Sequence, residues 1–243
     1  MRIPRVYSPQ SMAVGDCIQL ETGAARHLTS ALRMISGQPV TLFNGAGGEY
    51  SGKLVDAKKG KASVAIKSFA ETDRESPLSI QLAIGISRGE RMDWIVQKAT
   101  ELGVTQITPL FTERCEVKLS GDRLKKKLDH WQQVAISACE QSQRNVVPHI
   151  NEPLAIEKWP QHCDACLKLV LHHRSEQRLT DMAEPRGNIA LLIGPEGGLS
   201  EREIEQAMSF NFKPLALGPR VLRTETAPLA AIAILQSQWG DMR

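Results

Sequence analysis

An α/β architecture with a largely parallel sheet is predicted for most of this 243-residue chain, preceded by a smaller β-rich domain. Three observations carry that prediction. From Leu78 onward, short apolar runs alternate with segments of helical period, as strands and crossover helices do in a parallel sheet. Before Glu71 there is no long helical period, only short β-like runs separated by turn-forming residues. Between the two lies Glu71-Thr-Asp-Arg-Glu-Ser-Pro77, which is polar and ends in proline, so it reads as a linker. The expected domains are residues 1–72 and 73–243.

In the first domain the runs Val40-Thr-Leu-Phe43, Tyr50-Ser-Gly-Lys-Leu-Val55 and Ala62-Ser-Val-Ala-Ile66 are predicted strands. Asn44-Gly-Ala-Gly-Gly48 and Lys58-Lys-Gly-Lys61 are the turns between them. Such regularly spaced short strands suggest a small barrel. A helix around Ala24 to Met34 interrupts them, with Leu28, Ala31 and Leu32 on one side and Arg26 and Arg33 displayed.

In the second domain Leu78 to Ile86 is the first strand. Met92, Ile95, Val96, Ala99 and Leu102 recur at helical spacing, and Gly103 ends that helix. Gln106 to Phe111 is the next strand. A long helix covers Asp122 to Gln141, striped by Leu124, Leu128, Trp131, Val134, Ala135 and Ala138. Cys166 to Leu171, Ile189 to Leu192 and Pro214 to Leu217 are further strands. The final helix, Ala227 to Trp239, has proline in its first turn. Its run from Leu229 to Leu235 is apolar on more than one face, so it must be covered by core, by a second subunit or by both.

Composition narrows the function classes. Hydrophobic residues make up 42% and charged residues 23%, values typical of a globular protein. No apolar run reaches a membrane span, and Met1-Arg-Ile-Pro-Arg5 lacks the apolar centre of a signal peptide. Five cysteines do not make a disulfide framework. Cys163-Asp-Ala-Cys166 is a lone CxxC without the second pair a zinc site needs, so reduced thiols and no metal are expected. The net charge of +3 is unevenly spread. Residues 1–70 carry nine Lys/Arg against four Asp/Glu, a net +5, and the remainder carries a net −2. The excess points toward a polyanion; a solvated lysine-rich face is the plain alternative.

The chemistry concentrates in two turns near the C-terminus. The first follows the strand Ile189-Ala-Leu-Leu-Ile193 and reads Gly194-Pro-Glu-Gly-Gly198. Ser200 then opens a helix, with Glu203 at capping-box spacing. The second follows Leu215 and reads Leu217-Gly-Pro-Arg-Val-Leu-Arg-Thr-Glu-Thr-Ala227. Neither is a phosphate loop or a dinucleotide fingerprint, because the spacing is wrong for both. Both sit at strand ends, where ligands of open α/β sheets bind.

These two turns resemble the signature of the SPOUT class of RNA methyltransferases. Together with Met1-Arg-Ile-Pro-Arg-Val-Tyr7, Glu101-Leu-Gly-Val104 and Glu140-Gln-Ser-Gln-Arg144, in that order, they make the chain similar to the bacterial ribosomal small subunit methyltransferase E family. That family methylates N3 of a uridine in 16S rRNA. The resemblance implies a PUA-like RNA-binding β-barrel followed by a trefoil-knotted methyltransferase domain. It also implies a cytoplasmic homodimer acting on the small ribosomal subunit, with S-adenosylmethionine as methyl donor.

The same resemblance gathers the loops after Leu171, Ile193 and Leu217 around the donor. The expected cofactor residues are then Leu171, His172, Ile193, Gly194, Pro195, Glu196, Gly197, Gly198, Leu217, Gly218, Val221, Leu222, Arg223, Thr226 and Ala227. Glu196 either accepts from the ligand or caps its own loop. Uracil N3–H is a weak acid, so a base or nearby cations are required. Glu225 is a candidate base, or else a glutamate favoured by a helix N-terminus. Arg223 and Arg220 are candidates to stabilise the uracil anion or bind phosphate, or one of them pairs with Glu225. Arg144 is a candidate catalytic cation for the uracil anion and Asn145 a candidate RNA contact, both at a helix C-terminus, where arginine is also favoured without function. His172-His173 is a possible base or a surface pair. Arg2, Arg5, Arg26 and Arg33 are the candidates for RNA phosphates. A knotted ribose 2′-O-methyltransferase shares the glycine turn, but that group carries a Ser-Leu-Asn-Val-type segment where this chain has Leu222-Arg-Thr-Glu-Thr226. The other alternative is a non-catalytic RNA-binding assembly factor.

Overall fold

The computed structural model describes residues 3–58, 60–172, 174–175 and 177–242, which form two compact units. The first comprises the chain up to Glu75 together with Cys139–Val147; the second comprises Ser76–Ala138 and Pro148 onward.

The first unit is built on a five-stranded sheet in the order β1-β3-β4-β5-β2. Its strands are β1 (Arg5–Tyr7), β2 (Cys17–Gln19), β3 (Pro39–Phe43), β4 (Glu49–Lys58) and β5 (Lys61–Ala70). β1 pairs parallel with β3, and every other pairing is antiparallel. Alternation puts Val40, Leu42, Leu54, Ala62, Val64 and Ile66 into the core. The helix expected over Ala24 to Met34 is broken. Helix α1 (Thr22–Arg26) gives way to a π-helical turn, His27–Ala31. Leu32 N–H reaches back five residues to the His27 carbonyl (2.9 Å), while the Thr29 hydroxyl donates to the Ala25 carbonyl (2.7 Å). A threonine hydroxyl competing for backbone in this way loosens the regular ladder. Ala25 and Leu28 still reach the core. β1 and β2 are three residues each and too short to show as periodicity.

Residues 139–147 belong to this unit through buried charge. Arg5, whose side chain is 7% exposed, pairs with Glu49 and donates to Asn145 Oδ1 at 2.7 Å. Glu140 accepts the Tyr7 N–H (2.9 Å). Arg144, 3% exposed, binds Glu75 through Nη2 (2.6 Å) and Nε (2.9 Å). The other Glu75 oxygen accepts the N–H groups of Asn145 and Val146.

The second unit is a seven-stranded sheet ordered β12-β10-β11-β6-β7-β8, with β9 also on β7. The strands are β6 (Ile80–Gly85), β7 (Gln106–Phe111), β8 (His149–Ile150), β9 (Leu154–Ala155), β10 (Leu167–Leu171), β11 (Ile189–Ile193) and β12 (Lys213–Leu215), and all their pairings are parallel. β11 is buried at every position, as a strand covered on both faces must be. The helices are α2 (Glu90–Glu101), α3 (Gly121–Ser142), α4 (Glu201–Ser209) and α5 (Thr226–Trp239). The core gathers Val170, Ala190, Leu192, Ile204 and Phe212. α5 buries Ala231, Ile232, Leu235 and Trp239. Its buried Gln236 accepts from Ser76 (2.6 Å) and donates to the Leu102 carbonyl (2.9 Å). Parallel pairing brings the carboxyl ends of β12, β10, β11 and β6 to one edge of the sheet.

Removing one partner of the Arg144–Glu75 pair strands a charge. Arg144→Ala is expected to destabilise the chain by about 3 kcal/mol. Urea denaturation of the variant measures this, and an unchanged midpoint would assign Arg144 some task other than structure.

Candidate functional site

The first glycine turn is compact because its neighbours leave no room for side chains. A Cβ on Gly85, at the end of β6, would lie 2.5 Å from Pro195 Cδ and N. One on Gly194 would lie 2.6 Å from Leu199 N and 2.7 Å from Gly198 C. Both clashes are far inside van der Waals contact, and the second is with backbone, which cannot swing aside. The turn closes with the Gly198 N–H on the Pro195 carbonyl (2.8 Å), and Gly198 takes φ +68°. Ser200 caps α4, and its capping box with Glu203 forms as the spacing predicts. Glu203 does more than cap: its other oxygen accepts the Glu113 N–H from the loop after β7 (2.8 Å). From the same loop Arg114 donates to the carbonyls of Gly197 (3.0 Å) and Leu199 (3.3 Å). Gly197 is required by this packing, since a Cβ there would meet Arg114 Cβ at 2.9 Å.

The second turn contains Gly218 at φ +99° with open space beside it. It ends where the Arg223 carbonyl accepts the N–H groups of Thr226 and Ala227, both at 2.9 Å, starting α5. Between the two turns lies a cleft of about 350 Å³. It is lined by Leu171, His172, Ile193, Gly194, Pro195, Glu196, Gly197, Gly198, Leu217, Gly218, Val221, Leu222 and Ala227, all expected from the sequence, and by Arg220. Arg223 and Thr226 do not line it; both are exposed. Arg114, Arg174, Leu199, Glu201, Ile204, Leu215 and Thr224 line it without having been expected. The signal for Arg114 was available, as a charged pair, Glu113-Arg114, one residue beyond an apolar strand.

Electrostatics assigns Glu196. Its carboxylate accepts the Arg88 N–H and the Arg91 guanidinium, both at 3.0 Å. Burial alone pushes this carboxyl up, but those donors and a backbone N–H of its own outweigh it and hold Glu196 below the usual carboxylate range. The oxygen that makes these bonds is engaged with protein. Glu225 differs. Its Oε2 is buried without a hydrogen-bond donor among the described residues, and Arg91 Nε stands 3.9 Å away.

The other candidates divide. Arg26 and Arg33 are exposed in the first unit. Arg2 and His173 lie outside the described residues. Arg5 is corrected: it is buried against Glu49 and Asn145, which excludes it from meeting a phosphate. Arg144 and Asn145 are corrected likewise. They are 3% and 1% exposed and spend their groups within the first unit, on Glu75 and Thr72 among others. Cys163 is buried and Cys166 exposed, both as free thiols. Among the described residues no cluster of His, Cys, Asp and Glu is grouped to hold a metal.

Residues 74–236 match the family model of an RNA methyltransferase domain, and residues 20–67 that of an RNA methyltransferase PUA domain. The chain therefore carries an RNA methyltransferase domain preceded by a PUA domain. The ribosomal RNA small subunit methyltransferase E of Buchnera aphidicola subsp. Schizaphis graminum is 35% identical over 99% of this chain and 98% of its own. That of Bacillus subtilis is 32% identical over 89% and 88%. A solved structure from Legionella pneumophila, in complex with S-adenosylmethionine, shares 42% identity with a TM-score of 0.97, covering 99% of this chain and 100% of its own. A ribosomal RNA small subunit methyltransferase E from Neisseria gonorrhoeae, bound to S-adenosylmethionine, shares 41% with a TM-score of 0.94 and full coverage of both, 100% each. The chain belongs to the ribosomal RNA small subunit methyltransferase E family.

Gly194→Ala forces a methyl group into the backbone of its own turn. It is expected to weaken S-adenosylmethionine binding at least tenfold, roughly 1.4 kcal/mol. Calorimetry reads this directly, and unchanged affinity would remove this turn from the binding site.

Proposed function

We propose that this protein transfers the methyl group of S-adenosylmethionine to N3 of a uridine in 16S rRNA, acting on the small ribosomal subunit. One observation carries the reading: a cleft of about 350 Å³ at the carboxyl edge of a parallel sheet, walled by two backbone turns in which a side chain at Gly194 would not fit. The residues suit the cofactor. The walls are mainly backbone and apolar side chains, and Glu196 is already engaged by Arg88 and Arg91. When bound, S-adenosylmethionine supplies a methyl group activated by its sulfonium.

The protein has to orient the acceptor and handle its proton. Arg220 lines the cleft and Arg223 is exposed three residues on. These cations favour the anion formed when uracil N3 loses its proton. The buried, undonated Oε2 of Glu225 is suited to accept an N–H hydrogen bond and then the proton. A ribose hydroxyl would need a base but no cationic cradle. Arg26 and Arg33 supply exposed positive charge in the first unit for the RNA backbone. The setting is the cytoplasm, where ribosomal subunits are assembled.

The active form is a homodimer. Val221 is 82% and Ile234 42% exposed, and Leu229, Ala230 and Ala233 beside Ile234 on α5 are only half-buried. Such an apolar strip calls for cover. Ile234→Glu should convert the dimer to monomer in sedimentation velocity; a monomeric parent protein would refute this assignment.

Arg220→Ala, which removes the cation that lines the cleft, is expected to cut turnover by about two orders of magnitude with a smaller effect on cofactor affinity. Nucleoside analysis of small subunits after reaction checks both rate and product. Methyl on a ribose oxygen, or on any base position except uracil N3, would overturn the assignment. A parent protein that binds the cofactor but leaves every nucleoside unmodified would favour an assembly factor.

A further inference from the structure

The two turns of the cleft come from segments about 20 residues apart in sequence, and no hydrogen bond directly joins their side chains among the described residues. Both instead face a third element. Arg91 is the second residue of α2, whose N-cap Gly89 takes φ +59°. Its Nη1 donates to Glu196 Oε1 of the first turn at 3.0 Å. Its Nε faces Glu225 Oε2, at the start of α5, at 3.9 Å. The Arg88 N–H reinforces the first contact at 3.0 Å.

We propose that Arg91 is a positioning residue that ties the two cofactor-binding turns to α2 and so sets the width of the cleft. The inference rests on the reading of that cleft as the S-adenosylmethionine site. A guanidinium suits this task because its nitrogens diverge from one rigid plane, so a single side chain hydrogen-bonds Glu196 and still faces Glu225 at ion-pair distance. Lysine offers one point charge and cannot hold both directions at once. Arg91 also sets the character of each carboxylate. Glu196 is satisfied and ionised, so it acts as an anchor. Glu225 receives a nearby positive charge yet keeps its buried oxygen without a donor, so it is steadied and still able to accept from substrate.

The pair is partly exposed, with side chains 45% and 33% accessible, so the effect on fold stability is small. The effect on the cleft is where the tie acts. The test measures the Kd of S-adenosylmethionine by calorimetry for the parent protein, Arg91→Gln, Arg91→Lys, Glu196→Gln and the double variant Arg91→Gln with Glu196→Gln, with thermal melts of each. If the parent fails to bind S-adenosylmethionine, the reading of the cleft falls and this inference falls with it. If the parent binds, Arg91→Gln should raise Kd about fivefold while the melting temperature is nearly unchanged, and Arg91→Lys should recover only part of the loss. The double variant should bind no worse than the weaker single variant, because both remove the same tie. Unchanged affinity in Arg91→Gln, full recovery by lysine, or losses that multiply in the double variant would each overturn the role of Arg91 and leave the cleft assignment standing.

Discussion

Everything at the functional edge depends on how closely two parallel strands let their following loops approach. β6 and β11 are paired in register through Ile84 and Ile193, so Gly85 and Gly194 leave the sheet side by side. The proline ring of the next residue lies where a Cβ on Gly85 would be, 2.5 Å from it. A side chain at 85 would lift Pro195 off the sheet. Glu196 would then lose the Arg88 N–H, the bond between Gly198 and Pro195 would open, and Ser200 would no longer be set to cap α4. The constraint is steric and cheap to maintain, since it needs only the absence of one carbon. It makes the turn rigid before any ligand arrives, and a preformed site avoids the ordering cost of binding.

Rigidity is then shared outward through carboxylates with two separate tasks. Glu203 spends one oxygen on the cap of its own helix and the other on the Glu113 N–H. That pins the loop after β7, which carries Arg114 across the carbonyls of Gly197 and Leu199. The first unit uses the same device. Glu75 divides its oxygens between Arg144 and two backbone N–H groups. Glu140 is pushed up by burial, with the Tyr7 N–H working in the opposite direction, and the Cys139 thiol beside it is pushed up to about 12, mainly by burial. A thiol so protonated is inert packing, not a nucleophile.

Much of this was legible in the residues, and the gaps have physical causes. β7 runs from Gln106 to Phe111 as read, and α3, α5, β10 and β11 begin or end within a residue or two of the reading. Each has a strong period or a strong breaker. The capping box at Ser200 was visible because it is local. The π-helical turn at His27–Ala31 was not, because a single hydroxyl bond from Thr29 decides it. For the site, the glycines showed where backbone had to come close, but not what would come close to it. Gly197 reads as an opening for ligand; its missing side chain in fact makes room for Arg114. The Glu140-to-Arg144 motif was read as possible substrate contact, since a polar cluster at a helix end has the same composition whether it binds a ligand or welds two segments of chain. Only the partners, Tyr7 and Glu75, separate the two cases, and both are more than 60 residues away in sequence.

Charge shows the same difference between inventory and arrangement. Counting places the positive excess in residues 1–70 and leaves the remainder slightly negative. Yet several acids of the second unit are already committed. Glu203 is buried in its hydrogen bonds, and Glu196 is paired with Arg91. Glu116 is paired with Arg88, Glu201 with Arg174, and Asp93 bonds Trp131 Nε1 and pairs with His130. Arg220, at the cleft, and Arg223 near it stand exposed, while Arg5 in the nominally basic part is buried in an ion pair. Field strength at a point depends on the nearest uncompensated charges, because water and salt screen the rest within about 10 Å. The mouth of the cleft is therefore a cationic place in a unit whose formal charges cancel. An acceptor that becomes an anion only as it reacts is better served by that local arrangement than by any overall excess.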